Sequence, residues 1–306
     1  MKKITKNIIK FIIGFLIIFL LLYRVGFTNY LNVLIKINIW WFLLSLILAI
    51  FCQVLATYNF LILLIALNKK IVFLNLLRYV ALSWTLGSIS PGRLGEFGLV
   101  WLLKDRENID YGEGLLITIG DKILTLIVLL SFSSIGIFLF FNLKIFLFFV
   151  LISSLLFVSF LIIIWKEKSR NFIKTYLLRS YSKYFTGFSE GLKYLLRKRK
   201  KYLFFNLILS YIKLGGFFLS VYFIFLAFNF PFSYYLIVIF FSITTIISLI
   251  PISFSGLGIR ESSGTYLLTL VSVPEVIGAN ILITVTFQSY LLAFVYYLIT
   301  YRLLER

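Results

Sequence analysis

Two stretches of this chain place chemistry-bearing residues in a shared pattern. The first reads Ser90-Pro91-Gly92-Arg93-Leu94-Gly95-Glu96. The second reads Pro251-Ile252-Ser253-Phe254-Ser255-Gly256-Leu257-Gly258-Ile259-Arg260-Glu261. Each holds a proline, two close glycines, an arginine and a glutamate inside an otherwise apolar segment. Proline removes a backbone donor and glycine frees the chain to turn, so helices stop at such sites. A helix that restarts after the break points unpaired N–H groups, its positive dipole end, into the gap. Arg93 and Arg260 would add full positive charge with a fork suited to phosphate. Glu96 and Glu261 would balance those charges or bind a coupling cation or proton. The plainer reading makes Arg93–Glu96 and Arg260–Glu261 internal ion pairs that only hold each segment in place. Two motifs at matched positions favour the functional reading over it.

Three more charges fall inside apolar runs. Asp121-Lys122 sits mid-run, and Asp121 could pair with Arg93 across a cavity or simply with neighbouring Lys122. Lys213 precedes Gly215-Gly216, a pattern that allows close helix approach. It could snorkel to an interface or face the same cavity.

The elements that must position these residues follow from composition. The 306 residues are 61% apolar and 13% charged, against about 45–50% and about 25% in soluble domains. The chain cannot wrap its apolar residues in a polar shell, so it reads as an integral membrane protein. It has no histidine and a single cysteine, Cys52. That excludes imidazole-based catalysis, histidine-based zinc sites, an intrachain disulfide and a four-cysteine metal site. Neither a metal nor a cofactor is expected. The net charge of +19 would suggest nucleic acid in a soluble protein. At this apolarity the positive-inside rule accounts for it better, and no nucleic-acid partner is expected.

A helical span needs about 20 apolar residues. Six segments qualify: 8–27, 39–67, 114–141, 145–165, 202–228 and 277–301. The first follows Lys2, Lys3 and Lys6 and resembles a signal peptide, but no small-residue cleavage site follows it, so it reads as a retained anchor. Segments 71–103 and 234–273 contain the two breaks. Each is either a span with a loop or a re-entrant hairpin.

Charge separates these options. Segment 166–201 carries twelve basic and two acidic residues and is expected to be cytoplasmic. If both broken segments re-enter, then the N-terminus, 68–70, 104–113, 166–201 and the C-terminus share one side. That side holds 22 of the 30 basic residues. The fold expected is therefore an all-α polytopic membrane domain over 1–306, with six spanning helices plus two re-entrant broken hairpins. Residues 39–141 and 202–301 form inverted-repeat halves, a pattern that points to a transporter site at the paired breaks. Within 166–201, apolar residues every three to four positions suggest a basic amphipathic helix lying on anionic lipid.

At these motifs the chain resembles the lysylphosphatidylglycerol synthase transmembrane-domain family, also described as flippase-like. The matching residues are Ser88 to Glu96, the pair Asp121-Lys122, and Pro251, Gly256, Gly258 and Glu261. The resemblance runs from about residue 8 to 301. Two positions depart from it: Thr125 where the family often has Asp, and Gln288 where it often has Arg. Both bear on a shared proton or ion relay. The family's fused aminoacyl-transfer and glycosyltransferase domains have no counterpart here, so the resemblance implies the lipid-handling membrane half without synthase activity.

The function expected is a lipid translocase of the plasma membrane, with both termini cytoplasmic. An anionic or phosphate-bearing headgroup would enter a midplane cavity held by Arg93, Glu96, Asp121, Lys213, Arg260 and Glu261. The hairpin breaks at Pro91, Gly92, Gly95, Pro251, Gly256 and Gly258 would shape that cavity. Membrane lipids are the expected partners, with a lipid-modifying enzyme as a possible second. The alternatives are a membrane-embedded lipid transferase component and an ion-coupled carrier for a soluble anion.

Overall fold

The structure is a computed structural model that describes residues 2–140, 142–151, 154, 187–250 and 253–304. It is all-α among these residues. Among the described residues four helices are long and apolar enough to cross a membrane: α3 (Ile39–Ala66), α6 (Tyr111–Phe140), α8 (Lys200–Ala227) and α11, which runs Glu275–Thr300 and continues as a 3-10 turn to Leu303. The protein is thus an integral membrane protein with several apolar spans. Of the expected span at 145–165 only 145–151 and 154 are described, and the stretch 166–186 of the basic segment lies outside the described residues. So does Pro251.

The first expected span, 8–27, forms α1 (Lys2–Val25) and then bends. Gly26 has φ 86°, and α2 (Phe27–Leu34) leaves at 88° to α1. Elsewhere asparagines end the helices. Asn68, Asn108 and Asn229 all adopt positive φ, a conformation asparagine tolerates better than most side chains. At its other end α3 begins on Asn38, whose side chain accepts the Trp40 N–H at 3.0 Å.

The two broken segments each fold as a helical hairpin. In the first, α4 (Phe73–Ser88) is followed by a 3-10 turn (Leu94–Phe97) and α5 (Gly98–Glu107). Gly95 lies against Leu86, and Gly98 faces Leu86 and Ser83. Farther along, the Tyr79 hydroxyl reaches Glu107 at 2.9 Å. The partner numbers fall on α4 as they rise on α5, so the chain runs back the way it came. In the second, α9 (Tyr234–Ser248) leads to α10 (Ile259–Thr269). There Gly256 meets Ser248, Gly264 meets Thr244, and Leu267 clusters with Phe240. This chain also returns along itself.

Connections sort to two ends of the molecule. Lys69 pairs with Glu113 at 2.7 Å, Arg106 donates to the Leu303 carbonyl at 3.0 Å, and Arg199 donates to Asn68 at 3.0 Å. Residues 68–70, 104–113, 194–201 and 301–303 therefore share a basic end. At the opposite end Asn38 N–H donates to the Ala227 carbonyl at 2.7 Å, and Arg24 pairs with Glu275 at 2.9 Å.

Between the ends, α3 and α8 run antiparallel in close contact. Ser45 bonds the Ser220 carbonyl at 2.8 Å, Cys52 packs on Gly216, and Asn59 donates to Ser210 at 2.9 Å. Small and hydrogen-bonding residues serve this role in helices that cannot rely on a hydrophobic drive. At the basic end, α7 (Phe188–Lys198) buries Leu195 with Leu116 and Leu67, and Phe188 and Leu192 pack beside them. The apolar face of this part of the basic segment thus packs on protein rather than being left for lipid. Gly191, set against Leu116, permits the approach.

Candidate functional site

The tips of the two hairpins touch. Pro91 and Phe254 form an isolated antiparallel backbone bridge, and the Ser255 N–H donates to the Ser90 carbonyl at 3.3 Å. The two Gly/Pro breaks, far apart in sequence, therefore occupy one place.

The first tip is built by close backbone approach. A side chain on Gly95 would overlap the Leu86 carbonyl. The Gly95 N–H donates to the Ser90 hydroxyl at 2.7 Å, and that hydroxyl donates to the Gly87 carbonyl at 3.0 Å. Arg93 sits in the left-handed region at φ 58°. This turn lifts Glu96 over Gly87, whose missing side chain makes room for it.

Glu96 gathers two cations. Arg93 Nε lies 3.5 Å from its carboxylate, and Lys122 of α6 forms a direct ion pair with it. Glu96 is 18% exposed, whereas Arg93 and Lys122 are 33% and 34% exposed. Lys122 also lies over the Phe97 ring, 6.0 Å from its centroid. Asp121 turns the other way. Its partner is Lys213 of α8 at 3.6 Å, and Lys213 also donates to Thr125 at 3.1 Å. One oxygen of Asp121, Oδ1, is buried without a hydrogen-bond partner. Adjacent helical residues point about 100° apart, so Asp121 and Lys122 serve different neighbours. The two neighbouring sets together hold three cations and two carboxylates.

The second tip is closed on itself. Gly258 has φ 79°, and a side chain there would lie 2.6 Å from the Gly14 carbonyl oxygen of α1. Glu261 is fully buried. It accepts the Gly258 N–H at 2.5 Å, so the donor of the N-cap residue is met by the chain's own carboxylate. Arg260 lies 3.3 Å from Glu261 and donates to Thr286 at 2.6 Å. Thr286 donates in turn to Glu261. Ser253, beside the bridge, is buried with no partner for its hydroxyl.

The structure thus joins Arg93 and Glu96 with Lys122, and Asp121 with Lys213 and Thr125, as two sets side by side on α6 with Lys213 within electrostatic reach of Glu96; Arg260–Glu261 forms a separate set, joined to the first tip through the backbone bridge. Arg93 and Arg260 both lie within electrostatic reach of Tyr290. Two residues outside the sequence-based site list belong here. From the sequence Lys122 stands out only as the second member of the Asp121-Lys122 pair, and Thr286 does not stand out. The 100° step between adjacent helical residues was the available signal for Lys122. For Thr286 there was none, since its partner lies 25 residues away on another helix. The two positions that depart from the family pattern are both internal. Thr125 binds Lys213, and Gln288 is buried against the Ser45 hydroxyl at 3.2 Å with its Nε2 unpartnered.

The family model described as the lysylphosphatidylglycerol synthase TM region matches residues 7–296. No curated protein matches the chain.

Proposed function

The chain belongs to the lysylphosphatidylglycerol synthase TM-region family, and from that premise we propose that it is a flippase-like lipid translocase. In this reading the two hairpins re-enter the membrane from opposite sides. The half around α3, α4, α5 and α6 is then the inverted counterpart of the half around α8, α9, α10 and α11. The sorting of connections to two ends supports this, because α3 and α8 run in opposite directions and the hairpins start from opposite ends. The basic end is cytoplasmic, which places the excess of lysine and arginine where the positive-inside rule wants it.

The headgroup site lies at the first tip. One observation carries it: Arg93 and Lys122 are each one-third exposed around a largely buried Glu96, at the junction of two hairpins. Three cations against two carboxylates leave one positive charge to be met. An anionic phosphate-bearing headgroup supplies it, held by the Arg93 fork and the Lys122 ammonium while its tails stay in lipid. A charge at membrane depth costs about 2.5–3.5 kcal/mol on insertion scales, so an unmatched one is retained for use. Arg260 and Glu261, satisfied by each other, Thr286 and Gly258, shape the second tip. Transfer across the membrane then requires the tips to part.

Reconstituted liposomes with fluorescent phospholipids test this. Wild type is expected to flip an anionic phospholipid, with Arg93→Ala and Lys122→Ala each strongly impaired. Equal flipping by wild type and both variants would remove the site.

A further inference from the structure

Midway along its length α1 touches the residues that lead into α10, and beyond that point the two helices part. Leu257 and Gly258 press on Gly14. Beyond that point Ile17, Leu20 and Leu21 of α1 face α10 across a cavity of about 220 Å³. The α10 wall presents Ser262, Thr265 and Thr269, spaced so that they share one helix face. The mouth is flanked by Arg24 and Glu275, paired at 2.9 Å with side chains 74% and 33% exposed. None of the charged residues of the hairpin tips lines this groove.

Its walls differ in kind, one aliphatic and the other hydroxylated. Thr265 is 1% exposed, and its hydroxyl has no hydrogen-bond partner. Other buried helical hydroxyls here, such as Thr244 and Thr300, donate to the carbonyl four residues back. Thr265 keeps its donor unused beside the cavity. A buried polar group without a partner marks a place where a ligand can supply one.

We propose that this groove binds one phospholipid whose headgroup carries both a phosphate and a primary ammonium. The open Arg24–Glu275 pair presents opposite charges side by side, the complement of such a zwitterion. The phosphate sits on the Arg24 fork and the ammonium on Glu275. Thr265 donates to an ester oxygen of the glycerol region, and the first part of an acyl chain lies on Ile17 and Leu20. The volume is below the roughly 300–1,000 Å³ that encloses a drug-sized ligand. The groove therefore takes the upper part of the lipid and leaves the tails in the bilayer. Arg24 and Glu275 lie at the opposite end from the basic one, next to the loops there, which is headgroup depth. The proposal stands apart from the translocation site.

The test is native mass spectrometry of the full chain released from nanodiscs of equal phosphatidylethanolamine and phosphatidylcholine, neither of which brings the net negative charge that the hairpin tips take. Wild type is expected to retain phosphatidylethanolamine over phosphatidylcholine by about tenfold, the scale of one charge-assisted hydrogen bond. Leu20→Trp, which fills the groove, abolishes that preference. Thr265→Val keeps shape and removes only the unpartnered hydroxyl, so it melts no lower than wild type yet retains several-fold less of this lipid. Equal retention of the two lipids by wild type, or wild-type retention by both groove variants, overturns the proposal.

Discussion

Pro91 and Phe254 pair backbone to backbone at the meeting point of the two hairpins. Among the described residues the bridge shows one backbone hydrogen bond, from the Ser255 N–H to the Ser90 carbonyl at 3.3 Å. A junction this slight between separately folded hairpins can open without unfolding either. It is also the boundary a headgroup has to cross if it passes from one side of the tips to the other.

A disulfide at this junction reports whether it opens. Residues opposed in an antiparallel bridge have Cα atoms about 4.5–5.5 Å apart, inside the roughly 4.4–6.8 Å range that a disulfide accepts. Pro91→Cys with Phe254→Cys, in a Cys52→Ser background, is expected to cross-link within one chain under mild oxidation. Flipping is expected to fall on oxidation and recover on reduction. Full activity in the cross-linked protein would mean the tips never part.

The Lys122–Glu96 pair gives a stability test with a built-in control. Lys122→Met leaves Glu96 with the more distant Arg93 and is expected to cost about 1–3 kcal/mol, less than a fully buried pair because Lys122 is partly exposed. Adding Glu96→Gln removes the stranded charge and is expected to recover most of that loss, while flipping stays impaired. Thermal unfolding in detergent measures it. A double variant no more stable than Lys122→Met would show that the two side chains are not coupled.

Glycine positions separate backbone contact from helix preference. Gly95→Ala drives a methyl into the Leu86 carbonyl and is expected to destabilise by about 3 kcal/mol, the upper range for overpacking. Gly120→Ala meets only Leu63 at an ordinary 3.8 Å. Being inside α6, it is expected to stabilise by up to about 1 kcal/mol. Melting temperatures that move the same way for both would refute the close approach at the first tip.

Much of the site's location was legible because Gly and Pro interrupt apolar runs visibly. Pro91, Gly92, Gly95, Gly256 and Gly258 mark where α4, α5, α9 and α10 stop and start. What the residues touch was less legible. Lys122 and Asp121 are adjacent, and only the helical twist sends them to different helices. Gly14 is silent within its apolar run, yet it seats α1 on Gly258. Thr28, Asn29 and Asn32 dilute the apolar character of 27–34, so α2 carries no span-like signal. The apolar face of α7 looked ready for lipid because its partners, Leu67 and Leu116, come from remote segments.

The grouping of connections is open to chemical labelling. Single cysteines at Asp105 and Leu304, placed in a Cys52→Ser background, are expected to react with an impermeant maleimide from one side of right-side-out vesicles. Cysteines at Lys36 and Phe230 are expected to react from the other. Labelling of Asp105 and Leu304 from opposite sides would contradict a first hairpin that returns to its starting side.

Thr125 offers the sharpest test of the charge argument. It lies one turn beyond Asp121 and binds Lys213 at 3.1 Å. Thr125→Asp puts a second carboxylate on that lysine. The group then holds three cations and three carboxylates, and the positive charge left for a headgroup disappears. Lys213 is well placed to accept the new carboxylate, so the variant is expected to fold and melt near wild type. Flipping of an anionic phospholipid is expected to fall by about tenfold, the effect of losing roughly 1.4 kcal/mol of electrostatic attraction. A zwitterionic phospholipid, which brings no net charge, loses less. The readout is the ratio of the two flipping rates in the same liposomes. A ratio unchanged from wild type would show that net charge at the hairpin tips does not select the headgroup.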